Sequence, residues 1–155
     1  MSLTDVFAEP MLDTDDYLQD YLEKLTKLDK KGLLPEINKT LTYKVYSIGG
    51  SRFGSHKSIV LNTEDKYFTV ELGFITVDGK KHIYPITRQL NESSKSKLKY
   101  LGTIDAKGID LIGEAVAVMK HFGSYFKFCH NCQDFCNMYL EAIGLKNSKS
   151  LTDRK

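Results

Sequence analysis

Three cysteines, Cys129, Cys132 and Cys136, crowd into the stretch "KFCHNCQDFCNMYLEAIGL", with His130 between the first two. The chain contains no other cysteine. Clustered thiols support three chemistries: a metal site, a redox pair, or a single nucleophile among bystanders. Zinc would take the Cys129–Cys132 pair, with Cys136, His121, His130 and the more distant His82 in reserve. A structural zinc site draws on two well-spaced ligand pairs, and the sequence has no second pair. A redox pair would read "CHNC" as a Cys-x-x-Cys motif opening a helix. Such motifs follow the first strand of a βαβ unit, whereas this one follows a long helix late in the chain.

A nucleophile needs one thiolate, a base, and a group that orients the base. Cys132 falls in the first turn of a helix that Asn131 can cap, at a helix mouth and outside the packed core. The positive end of a helix dipole favours a thiolate, and the unpaired N–H groups there can receive a developing oxyanion. His56 is the candidate base, placed at the start of a strand just after the loop "GGSRFGS". Glu71, on the polar face of the following strand, can accept the other ring N–H and fix the tautomer. Asn131, Gln133 and His82 are the further oxyanion or orienting candidates, His82 as a substitute for Glu71. No metal, cofactor or disulfide is expected. Cys136 lies one helical turn beyond Cys132 and is expected to be buried against the sheet.

The elements that must hold these residues are legible. "LDTDDYLQDYLEKLTKLDKKG" predicts a helix capped by Thr14 or Asp13 and closing before Gly32. Its apolar stripe is Leu18, Tyr21, Leu22, Leu25 and Leu28. From Thr40 the period changes to two. "LTYKVYSIGG" reads as a strand ending in a glycine pair, and "HKSIVLN" as the next. "KYFTVELGFIT" alternates Phe68, Val70, Leu72 and Phe74 against Tyr67, Thr69, Glu71 and Ile75. Asp78-Gly79 is a hairpin turn, and "KHIYPITR" returns as a strand at the sheet edge. "QLNESSKSKLK" is a polar loop, and a short strand follows at "YLGTI". "GIDLIGEAVAVMKHFG" carries a stripe wide enough for a mostly buried helix. The last helix runs from near Cys132 to Gly144, a C′ glycine. Helix, antiparallel sheet, then two helices make an α+β fold. It divides into an N-terminal helical extension (1–39), a domain (40–145) and a tail (146–155).

Bulk properties narrow the function. A formal charge of +2 argues against a dedicated nucleic-acid binder, whose basic excess is larger. No apolar run reaches the ~20 residues of a membrane span. The first residues lack the basic flank and apolar block of a secretory signal. An odd number of cysteines suits a reducing compartment, so a cytoplasmic protein is expected.

Two segments resemble the circularly permuted papain-like cysteine enzymes, in which the histidine strand precedes the cysteine helix. That superfamily includes the lecithin:retinol acyltransferase-like proteins, the NlpC-type peptidases and the PPPDE-type isopeptidases. "GSHKSIVLNTEDKYFTVELG" is similar to its histidine box. "AVAVMKHFGSYFKFCHNCQDFCNMYL" is similar to its cysteine box, with Tyr125 seven positions before the cysteine and Asn131, Cys132 and Phe135 in place. The resemblance implies Cys132 as nucleophile, His56 as general base and Glu71 as third member. Acyltransferase members often carry a second histidine where Glu71 stands and Glu-His where this chain has Gln133-Asp134. These departures favour peptide, isopeptide or amide substrates over lipids.

The expected function is therefore a thiol hydrolase working through a Cys–His acyl-enzyme on a peptide, protein or other acyl-bearing substrate. The alternatives are an acyltransferase or phospholipase of the lecithin:retinol acyltransferase type, or a non-catalytic binding module that keeps the fold.

Overall fold

The computed structural model describes residues 7–10, 23, 27, 30, 32, 35–49, 56–77, 79–122, 125–126 and 132–145. The strands are β1 (Phe7–Pro10), β2 (Thr40–Gly49), β3 (Lys57–Thr63), β4 (Lys66–Val77), β5 (Lys80–Gln89), β6 (Lys99–Lys107) and β7 (Tyr125–Phe126). Two helices follow the main strands, α1 (Gly108–Phe122) and α2 (Cys132–Ala142). The strands form one sheet in the order β6-β2-β3-β4-β5-β1-β7. From β6 through β5 every pairing is antiparallel. The fold is α+β, as the order of elements predicts.

Strand alternation decides where the core lies. Val45, Ile59, Leu61, Phe68, Val70 and Leu72 share one face and are buried against Ile112, Ala115 and Met119 of α1 and Phe135, Tyr139 and Leu140 of α2. In α2 the buried positions are Cys132, Phe135, Cys136, Tyr139 and Leu140, the helical stripe that docks an amphipathic helix. The Tyr139 hydroxyl donates to the Leu111 carbonyl at 2.6 Å and ties α2 to the first turn of α1. Gly144, with φ 95°, ends the helix. The Gly144 N–H bonds the Glu141 carbonyl and the Leu145 N–H the Leu140 carbonyl, the paired bonds of a Schellman motif.

Several expectations change. β5 is not an edge strand, because β1 pairs with it in parallel through Glu9–His82 and Pro10–Ile83. The "YLGTI" strand extends to Lys99–Lys107, and the polar loop before it contains a short 3-10 helix over Glu92–Lys97. Of the expected first helix, Glu23, Lys27 and Lys30 are helical and exposed; its apolar stripe lies outside the described residues. Among the described residues no helix is long and apolar enough to cross a membrane.

Candidate active site

α2 opens at Cys132, and β3 begins one residue after His56. The two meet at the Lys57 peptide. The Lys57 N–H donates to Cys132 Sγ at 3.3 Å, and the Cys136 thiol donates to the Lys57 carbonyl at 3.4 Å. Two sulfurs one helical turn apart thus hold both polar groups of one residue. Cys136 is fully buried, and burial, first among the influences on it, pushes its thiol well above the ordinary value. It stays a donor.

His56 is the hinge of the site. Its Nε2 lies 3.0 Å from Glu71 Oε1 and 3.1 Å from Ser58 Oγ. A carboxylate can only accept, so Nε2 carries the hydrogen and Nδ1 is left as the nitrogen able to take a proton from a thiol. A hydrogen bond to the Cys132 side chain does most to raise the imidazole, followed by the bond to Glu71; partial burial works the other way. The result is a histidine raised from 6.5 to about 9.

Glu71 is 5% exposed, beside a His56 ring that is 57% exposed. Burial pushes its carboxyl up, but hydrogen bonds from His56, Arg88 and Thr69, with the Arg88 charge, outweigh that and bring it from 4.5 to about 2. Arg88 grips it twice, Nη2 donating to Oε1 at 2.7 Å and Nε to Oε2 at 3.2 Å. Ser58 pairs with Glu71 across β3 and β4, and Thr69 pairs with Arg88 across β4 and β5. By alternation Ser58, Thr69 and Glu71 point to the sheet face opposite Ile59, Val70 and Leu72. The polar cluster and α2 therefore approach from opposite faces and meet at the end of β3.

Three of the expected residues, Cys132, His56 and Glu71, come together. Cys132 differs from expectation in one respect: it is 6% exposed and belongs to the packed core, because it is the first position of the buried stripe of α2. Gln133 is half-buried in the first turn of α2. Asn131, Cys129 and His130 lie outside the described residues. So do the side chains of His82 and His121; the His82 backbone sits opposite Ile75 of β4 and Glu9 of β1. Sequence reading missed Arg88 and Ser58. The only signal for Ser58 was its place two residues after His56, the same-face spacing of a strand; Arg88 needed the β4–β5 register. No protein-family model, no curated protein and no solved structure matches this chain.

Proposed function

We propose that the protein is a thiol hydrolase of the permuted papain-like kind, acting on a peptide, isopeptide or amide bond through an acyl-enzyme at Cys132. The observation that supports this reading best is the convergence at one strand end of a histidine bonded to the buried Glu71 carboxylate and the Cys132 sulfur, which accepts from the N–H of the very next residue, Lys57. His56 Nδ1 takes the thiol proton, and the sulfur attacks the carbonyl carbon to form a C–S bond. N–H groups at the start of α2 receive the oxyanion, with Asn131 and Gln133 as side chains able to join them. Collapse breaks the C–N bond as His56 returns its proton to the leaving amine. Water, deprotonated by His56, then attacks the thioester; a C–O bond forms, the C–S bond breaks, and the thiol is restored. Glu71 holds the ring and balances the imidazolium throughout. Acyl transfer to an acceptor other than water uses the same first half. Chemistry that depends on a reduced Cys132 suits a reducing, cytoplasmic setting.

The burial of Cys132 favours a second reading, a binding module that keeps the fold without turnover. An activated ester separates the two. On incubation with p-nitrophenyl acetate, the hydrolase reading expects an acetyl thioester on Cys132 by peptide mass mapping. It also expects no thioester in Cys132→Ala and slow formation in His56→Ala. A protein that never acylates at Cys132 belongs to the second reading.

A further inference from the structure

We infer that Arg88 is the positioning residue of this site, holding the Glu71 carboxylate so that Oε1 faces His56 Nε2. The role rests on the thiol–imidazole reading above. A glutamate side chain has three rotatable bonds, and contacts from His56 and Thr69 alone do not fix both of its carboxylate oxygens. The guanidinium removes that freedom. One N–H meets Oε1 at 2.7 Å, the same oxygen that His56 approaches at 3.0 Å, and a second meets Oε2 at 3.2 Å. This is the two-pronged arrangement that arginine forms with carboxylates and that lysine, a point charge, does not. The sheet sets the approach. Arg88 stands opposite Thr69, one same-face position from Glu71, and the Thr69 hydroxyl donates to the Arg88 carbonyl at 3.4 Å. Glu71 is buried while the Arg88 side chain is 63% exposed. The cation thus compensates a carboxylate that burial would otherwise drive toward neutrality. The depressed Glu71 carboxyl agrees with this.

The test is the second-order rate of Cys132 alkylation by iodoacetamide at neutral pH, read by mass mapping on the full chain. The proteins are the wild type, Arg88→Met, Arg88→Lys, Glu71→Gln and Glu71→Gln/Arg88→Met, with His56→Ala as reference. Arg88→Met is expected to slow alkylation on the order of 10-fold, less than the roughly 10²- to 10⁴-fold of losing the base itself. Arg88→Lys is expected to fall between, and in the Glu71→Gln background Arg88→Met should change nothing further. A general structural role would slow both backgrounds alike. If Arg88→Met is too unstable to measure, the lysine variant and the double variant, which removes the whole pair, carry the comparison. Fast, His56-dependent alkylation that ignores Arg88 would overturn the positioning role and leave the thiol–imidazole reading standing. So would an Arg88→Met effect that persists undiminished in the double variant, since it would mean Arg88 acts other than through Glu71. A wild-type Cys132 no faster than a free thiol, indifferent to His56→Ala, would overturn both.

Discussion

At the scale of single residues, the proposed chemistry gives each member of the trio a separable job, and its removal should show a separate signature. Cys132→Ala deletes the bond-forming atom, so thioester formation should vanish while the fold, judged by circular dichroism, remains. His56→Ala leaves the sulfur in place without a base; general-base catalysis contributes roughly 10²- to 10⁴-fold, so acylation should slow by about that factor. Glu71→Gln keeps the shape and one oxygen acceptor for Nε2 but loses the charge opposite the imidazolium, so it should do less damage than His56→Ala. Stopped-flow acylation by p-nitrophenyl acetate ranks the three. A Glu71→Gln protein slower than His56→Ala would contradict the assigned roles. Cys132, His56 and Glu71 were legible because each announces itself locally, by a helix start, a strand start or a polar position in an alternating strand. Arg88 announced nothing: a basic residue near a strand end reads as solvated until the register sets it beside Thr69.

At the scale of elements, the site depends on where β2 ends and β3 begins. Gly49 is the last residue of β2, pairs with Lys57, and has φ 79°. A Cβ there would run into the His56 carbonyl oxygen. Gly49→Ala should therefore displace the His56 backbone without deleting any reacting group. A displacement of about 1 Å at a reacting centre is worth on the order of 10²-fold, so acylation should slow on that scale. Gly113, exposed on α1 with open space around it, is the control. Gly113→Ala should stabilise the protein by roughly 0.5–1 kcal/mol in urea denaturation and leave acylation unchanged. Equal acylation rates in the two alanine variants would count against the positioning of His56 by this strand end. The glycine pair at Gly49-Gly50 was visible as a strand terminator, but its contact with His56 was not. The same limit explains the other misreadings. The second half of β6, "DAK", has low strand propensity and is held by pairing with Thr40–Thr42 of β2. β1 and β7 are too short to show a period, and without β1 the strand β5 looked like an edge.

At the scale of the whole molecule, the network couples folding to pH from two directions. His56 is raised from 6.5 to about 9. Its contribution is complete below 6.5 and fades as pH rises toward 9. Glu71 is lowered from 4.5 to about 2. Its contribution is complete above 4.5 and fades as pH falls toward 2. The gap in melting temperature between the wild type and His56→Ala should therefore narrow on going from pH 6.5 to 9. The gap to Glu71→Gln should narrow from pH 4.5 down to 2. Gaps that stay constant across those windows would remove the linkage. The α+β order and the burial of Cys136 were readable from periodicity. The approach of thiol and carboxylate from opposite faces was not, because periodicity orders side chains within an element and is silent on how elements meet. That meeting at His56 is the centre of the account, and the NMR titration of the His56 ring tests it most directly. In the wild type the imidazole should titrate near pH 9, and in Cys132→Ala it should move down toward 6.5, since the bond to Cys132 does most to raise it. A wild-type ring that titrates at its ordinary value, or one that ignores the loss of Cys132, would contradict the pairing on which the proposed chemistry depends.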